Sequence, residues 1–331
     1  MKKASIKDVA RLADVSIATV SQILNNKGDR FSEATREKVF AARDEVGYVP
    51  NISARSLKKS HYMLIGVVVP TLALPYFGAF VQHLQNLLPE NMSLSIMSGE
   101  QKQADAAVER MIEAGVSGVI VVSQLADPNR IADLLKQRGI AMVVTENHDD
   151  LELADVVYTK DQAGGRLAAE HLIAEGHKRV ALLGNQVFTD NLFYRAGSFK
   201  AAMEEAGVKV SEITTHNMSK QSGQAAAMAV SISHATATFA LNDELAIGVI
   251  SGLSKLGWHV PDDMSVIGYD DTDYAAFYQP SLTTIHQPVD IVAKTALDVL
   301  MARIADHRLD RQKIAVDVSL VERDSTRPLQ V

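Results

Sequence analysis

Ile6 to Asn25 reads IKDVARLADVSIATVSQILN, and its spacing predicts two short helices meeting at a tight turn. Val9, Ala10, Leu12 and Ala13 share one face of the first helix. Val20, Ile23 and Leu24 share one face of the second. Steps of three and four residues are those of amphipathic helices. Asp14-Val15-Ser16 forms the turn, and the Ser16 hydroxyl is a good N-cap for a helix starting at Ile17. Two helices joined in this way make a helix-turn-helix, whose second helix enters the DNA major groove. Its outward residues are Ile17, Ala18, Ser21 and Gln22. Any small helical hairpin shares this periodicity. Flanking Lys2, Lys3 and Lys7, and a third amphipathic helix from Glu33 to Val46 between Ser32 and Gly47, favour the DNA reading.

Charge supports it once the chain is divided. The 331 residues carry a net −7, yet residues 1–60 hold 12 Lys and Arg against seven acids, a net +5. The remainder carries −12. A basic head meets phosphate while an acidic body stays off it. After Pro50, the short segment Ile52-Ser53-Ala54-Arg55-Ser56-Leu57-Lys58-Lys59 is too short for a stable lone helix and reads as a linker. Leu57 stands alone among basic and polar residues. It is either a boundary leucine or a wedge between base steps in the minor groove.

From Leu64 the texture changes to short apolar runs alternating with helical ones. The strand-like runs are 64–69, 93–97, 118–122, 141–145, 156–159, 180–184, 238–241 and 265–269. Such alternation means parallel sheet covered by helices. About ten strands over some 270 residues exceed one compact sheet, so two α/β lobes are expected, with a ligand cleft between them. Hydrophobic content of 47% and charge of 22% fit a globular chain, and no run has the length and apolarity of a membrane span. There is no cysteine, hence no thiolate chemistry, and no signal-peptide pattern, so a cytoplasmic location is expected. No dinucleotide-binding, P-loop or zinc-protease motif occurs, and Gly115-Val116-Ser117-Gly118 is one residue short of a nucleophile elbow. The ten histidines are scattered and read as surface or packing residues. No enzyme, cofactor or metal is therefore expected. Asp270-Asp271 closes an apolar strand and suits hydrogen bonding to a polyol.

The sequence resembles the LacI/GalR family of bacterial repressors. In the head this rests on Asp8-Val9-Ala10, Val15-Ser16-x-x-Thr19-Val20-Ser21, Leu24-Asn25, Thr35-Arg36-Glu37-Lys38-Val39 and Tyr48-x-Pro50-Asn51-x-x-Ala54-Arg55-Ser56-Leu57. In the body it rests on Ala169-x-His171-Leu172-x-x-x-Gly176-His177-Lys178-Arg179-Val180 and Asn242-Asp243-Glu244-Leu245-Ala246-x-Gly248. It also rests on Val260-Pro261-x-Asp263-x-Ser265-Val266-Ile267-Gly268-Tyr269-Asp270-Asp271, Pro280-Ser281-Leu282-Thr283-Thr284-Ile285 and Arg323-Asp324-Ser325-Thr326. The resemblance implies an α-helical helix-turn-helix headpiece (1–50), a hinge helix (51–61) and an α/β, two-lobed, periplasmic-binding-protein-like body (62–331). One lobe would hold about 62–160 and 289–320, the other about 161–288 and 321–331.

The resemblance further implies a homodimer on a near-palindromic operator, and a sugar or nucleobase effector between the lobes. The effector either releases the operator as an inducer or tightens it as a co-repressor. A phosphorylated carrier protein is another co-repressor known in such repressors. No leucine heptad follows Thr326, so a dimer rather than a tetramer is expected. By position, Ile17, Ala18 and Gln22 would read bases, and Ser16, Thr19, Ser21 and Asn25 would touch the backbone. Tyr48, Asn51, Ala54 and Leu57 complete the DNA set. Gln22 departs from the arginine of many relatives and suits adenine instead of guanine. The effector set is Tyr76, Phe77, Glu146, Arg195, Asn242 and Asp270. Glu146 stands where aspartate is common, and Arg195 is expected in a loop of altered geometry. On this reading Arg195→Ala abolishes the effector response and spares operator binding.

Overall fold

The computed structural model describes residues 4–24, 30–48, 62–146, 154–185 and 189–329. The expected hinge segment 51–61, and with it Asn51, Ala54 and Leu57, lies outside these residues, as does Asn25. The chain packs as two compact units, Met1–Tyr62 and Met63–Val331.

The first unit contains α1 (Ile6–Leu12), α2 (Ile17–Ile23) and α3 (Glu33–Val46). Val9, Ala10, Ala13, Val20, Ile23, Val39 and Ala42 form its core. Leu12, placed on the apolar face by its spacing, is instead 44% exposed. Asp14 turns the chain with φ of 54°, a left-handed conformation that a short polar side chain tolerates. Ser16 Oγ accepts from Thr19 N at 3.0 Å, which caps α2. Ser32 caps α3 the same way through Thr35 N, and Gly47 ends it with φ of 63°.

The second unit is built on two six-stranded sheets. The first contains β1 (Met63–Val69), β2 (Met92–Ser98), β3 (Gly118–Val121), β4 (Ala141–Val144), β5 (Asp155–Thr159) and β11 (Lys313–Val316), in the order β11-β5-β4-β3-β1-β2. The second contains β6 (Arg179–Asn185), β7 (Lys209–Thr215), β8 (Ala237–Ala240), β9 (Ser265–Asp270), β10 (Thr283–His286) and β12 (Ser319–Val321), in the order β12-β10-β9-β8-β6-β7. All pairings are parallel except β10 with β12.

Helices cover the sheets: α4 (Pro75–Leu87), α5 (Lys102–Glu113), α6 (Pro128–Gln137) and α12 (Val289–Ala305) on the first, and α7 (Asp161–Ala174), α8 (Asp190–Glu205), α9 (Lys220–Ile232), α10 (Asp243–Lys255) and α11 (Asp273–Phe277) on the second. Each sheet is lined by an apolar cluster on either side, one pair around Ile65, Phe80, Val143 and Leu300 and around Met111, Val119 and Leu135, the other around Phe199, Phe239 and Ile267 and around Leu183, Leu253 and Val266.

The chain passes between lobes three times, at Thr159–Asp161, at His286–Val289 and between β11 and β12. The last passage precedes Ser319, so Ser319 and Leu320 pair in the second lobe rather than the first, two residues before the expected return. The β12 strand has only three residues, too few for sequence spacing to place it. In both sheets the strand order reverses beside the central strand, and in such folds ligands sit outside the carboxyl ends of the strands.

Candidate functional site

A cavity of about 700 Å³ lies between the two lobes of the second unit, within the usual range for small-molecule sites. The strand ends of both sheets furnish it. Thr71, Gln101, Gln124 and Glu146 follow strands of the first lobe, and Asn185, Asn217, Asn242, Asp270 and Gln287 come from strand ends of the second. All six residues of the expected effector set line this one cavity: Tyr76, Phe77, Glu146, Arg195, Asn242 and Asp270. Three of the six non-glycine residues with positive φ among the described residues also line it: Gln101 (51°), Glu146 (70°) and Asp270 (117°). Strained backbone of this kind concentrates where side chains must be aimed.

Tyr76 and Phe77 open α4, their rings edge-to-face at 5.5 Å. Tyr76 is buried at the cavity wall, and Phe77 lines the cavity and also packs on the first-lobe core. Glu146 follows β4 and accepts from Asn191 Nδ2 at 2.5 Å. Burial raises its carboxyl from near 4.5 to about 7, and Asp161 adds to the rise. Arg195, Tyr76 and Asn191 oppose it. Asp270 is likewise pushed well up by burial, against the pull of Arg195, and accepts from Gln287 Nε2 at 2.6 Å.

Arg195 differs from expectation. It lies inside α8, which starts at Asp190, rather than in a loop, and it is 2% exposed. The polar start Asp190-Asn191 and the cavity-facing side masked the helical period. Gly165 allows α7 to pass close, because a Cβ there would meet the Arg195 carbonyl at 2.1 Å. The guanidinium donates to Asp161 Oδ1 from Nε (3.1 Å) and Nη2 (2.8 Å) and to the Leu241 carbonyl from Nη1 (2.5 Å). It also stacks 3.3 Å from the Tyr269 ring centroid. Burial works against its charge, but Tyr269, Asp161 and Asp270 around it raise its pKa overall. Asn242 is also committed: its Oδ1 caps α10 through Leu245 N at 2.9 Å and its Nδ2 donates to the Met218 carbonyl at 3.0 Å. One N–H and one lone pair remain for a ligand.

Sequence reasoning did not single out Asp161, Gln287, Asn185 or Asn191. Asn185 Oδ1 is buried at the cavity edge with no hydrogen-bond partner among the described residues. Its position at the end of an apolar strand run was the available signal. The cavity lining is thus polar, with Arg195 held by Asp161, the carboxyls of Glu100, Glu146 and Asp270, the Lys102 ammonium, His216, several amides and one aromatic corner. No cluster of three or more metal-ligating side chains exists among the described residues, and no helix among them is long and apolar enough to cross a membrane.

On the first unit, Ser16, Ile17 and Ala18 are exposed, and Thr19, Ser21 and Gln22 are half-buried. Ile17 is 40% exposed, an apolar side chain on a polar surface. Ser16 and Thr19 also share a hydroxyl contact of 2.9 Å. Gln22 Oε1 accepts from Arg30 Nη2. Tyr48 packs against the headpiece core.

Residues 5–51 match the bacterial regulatory proteins, lacI family, and residues 169–326 match the periplasmic binding protein-like domain. The chain is 33% identical over 335 residues to the HTH-type transcriptional repressor PurR of Photobacterium profundum, covering 98% of this chain and 99% of that one. Among solved structures, a LacI family transcriptional regulator from Enterococcus faecium with bound ribose is 30% identical. It has a TM-score of 0.76 and covers 81% of this chain and all of that one. The Lac repressor dimer bound to operator and the anti-inducer ONPF is 28% identical, with a TM-score of 0.80, covering 98% of this chain and all of that one.

Proposed function

Because this chain belongs to the LacI family of bacterial regulatory proteins, we propose that it is a transcriptional repressor released from its operator by a sugar bound between the lobes. The observation that carries the sugar reading is the lining of the cavity. Arg195 and Asp161 pair with each other, and burial raises the Glu146 carboxyl to about 7 and pushes that of Asp270 up as well. Asn185, Asn191, Asn217, Gln124 and Gln287 add neutral donors and acceptors. Such a set matches the alternating hydroxyls of a polyol, and the Tyr76–Phe77 corner suits the apolar face of a sugar ring. The ribose-bound relative supports the same ligand class.

The PurR relatives favour a second reading, a nucleobase co-repressor that tightens operator binding. Against it, Tyr76 and Phe77 meet edge-to-face, and no parallel pair of aromatic planes among the described residues lines the cavity to sandwich a base. A homodimer completes the proposal. Met228, Ile232, Tyr274 and Phe277 are all more than half exposed on α9 and α11, which meet where Lys220 Nζ lies 4.8 Å from the Tyr274 ring. Large exposed apolar side chains of this kind are candidates for an interaction surface.

The test is fluorescence anisotropy of a labelled near-palindromic operator at fixed salt. The complex is titrated with D-ribose, other monosaccharides and purine bases. Release by a sugar supports the proposal. Tightening by a purine replaces it with the co-repressor reading. Intact DNA binding with no response to any compound overturns the small-molecule account and points to a protein partner.

A further inference from the structure

Two of the three lobe crossovers are tied to the cavity by one chain of buried polar side chains. Asp270 Oδ1 accepts from Gln287 Nε2 at 2.6 Å. Gln287 Oε1 lies 3.1 Å from Thr159 Oγ1, which lies 2.9 Å from Asp161 Oδ2. Asp161 Oδ1 holds Arg195 at 2.8 Å and the Tyr269 hydroxyl at 3.0 Å. Thr159 is the last residue of β5 in the first lobe, and Asp161 opens α7 in the second. Gln287 leaves the second lobe after β10 and leads into α12 of the first. Thr159, Asp161 and Gln287 are 4%, 3% and 3% exposed, so bulk water does not compete for these bonds. Thr159 does not line the cavity.

The chain has two self-consistent arrangements. The Thr159 hydroxyl has one proton and faces two acceptors, Asp161 and Gln287. In the first arrangement Gln287 donates to an acceptor at Asp270 and draws the Thr159 proton to its own oxygen. Half a turn of the amide gives the second. There Gln287 donates to Thr159, the hydroxyl donates to Asp161, and the amide oxygen accepts a hydrogen bond from a donor at residue 270. A ligand hydroxyl donating to Asp270 keeps it an acceptor and favours the first arrangement.

We propose that Thr159 and Gln287 are positioning residues that relay the hydrogen-bond state of Asp270 to the crossover at Thr159–Asp161, and so set the relation between the lobes. Coupling requires an element with two discrete states that both ends bias, and the Gln287 amide with the Thr159 hydroxyl is such an element. The relay rests on the cavity being the effector site.

The test is hydrogen–deuterium exchange of the full chain without ligand, followed at peptides spanning 157–163, where Lys160 N bonds the Val316 carbonyl at 2.9 Å. Asp270→Asn offers an amide donor to Gln287, which favours the arrangement in which Thr159 donates to Asp161, and is expected to slow exchange at 157–163 by about tenfold, the scale of one gained hydrogen bond. Thr159→Val removes the hydroxyl and is expected to speed exchange there, Thr159→Ser to match the wild type, and Asp270→Asn/Thr159→Val to equal Thr159→Val alone. Gln287→Leu leaves Thr159 only Asp161 to donate to and must reproduce the slowing, which keeps the test decisive should Asp270→Asn fail to fold. Wild-type exchange at 157–163 in Asp270→Asn, simple addition in the double variant, or a Thr159→Ser protein that behaves like Thr159→Val overturns the relay. A chain that binds no sugar or purine removes the effector reading and leaves this ligand-free comparison intact.

Discussion

At the scale of single residues, Glu146 links pH to stability and, on the proposed sugar reading, to ligand binding. Its folded pKa of about 7 lies above its ordinary value near 4.5, so the folded state holds the proton more tightly than the unfolded chain. The associated stability is fully present below about pH 4.5 and is lost as pH rises through 7. Relative to Glu146→Gln, the wild type is expected to lose thermal stability between about pH 5 and 8, as read by parallel melting curves. A sugar hydroxyl donating to the carboxylate prefers the ionised form. Its Kd is therefore expected to tighten by up to about tenfold from roughly pH 6 to 8. Calorimetry on Glu146→Gln is expected to show a flat profile across that range. Arg195 carries a different consequence. Its burial against Asp161 means that Arg195→Ala leaves a buried carboxylate unpaired, at a cost of roughly 3–5 kcal/mol. The sequence-based expectation that this change would spare operator binding thus gives way: a large fall in melting temperature is expected first. Arg195 was visible as a matching position, but its partner Asp161 was not. The two are 34 residues apart and meet only because Gly165 lets α7 and α8 approach.

At the scale of elements, α2 stands on its cap. Ser16→Ala is expected to cost about 1 kcal/mol, measurable as a lower headpiece melting temperature, because Thr19 N loses its acceptor. The same helix carries the residues expected to read bases. Gln22→Arg is expected to shift one operator base pair from adenine to guanine in a randomised-operator selection, since an arginine fork suits guanine O6 and N7. An unchanged preference would remove Gln22 from the reading set. Element legibility followed burial. Eight strands with apolar or small-residue runs were readable, whereas β7, β11 and β12 lie at sheet edges with mixed sequences. The β10 strand is hidden for another reason: it buries Thr283 and Thr284, whose hydroxyls bond to the Arg323 carbonyl and Asp243. A hydropathy pattern cannot show polar groups satisfied by distant partners.

At the scale of the whole molecule, the division between a basic first 60 residues and an acidic remainder was legible from charge alone, and the comparisons assign the two parts to different families. The cavity was legible as a place, because strand ends in doubly wound sheets converge there. Its polar relay was not, because Thr159 and Gln287 become neighbours only where two lobe crossovers meet. For assembly, Phe277→Glu is expected to weaken the homodimer, since it places a charge on a side chain 87% exposed at the proposed interface. Sedimentation equilibrium reads that change directly, and an unaltered oligomeric state would place the interface elsewhere.

The central claim is that one ligand and one operator share a coupling free energy through this fold, and such coupling is reciprocal. The most direct test is calorimetric titration of the full chain with D-ribose, free and saturated with operator, at one salt concentration. The account predicts that operator weakens the sugar's Kd by the same factor by which sugar weakens the operator's. A sugar Kd identical in the two titrations would contradict it.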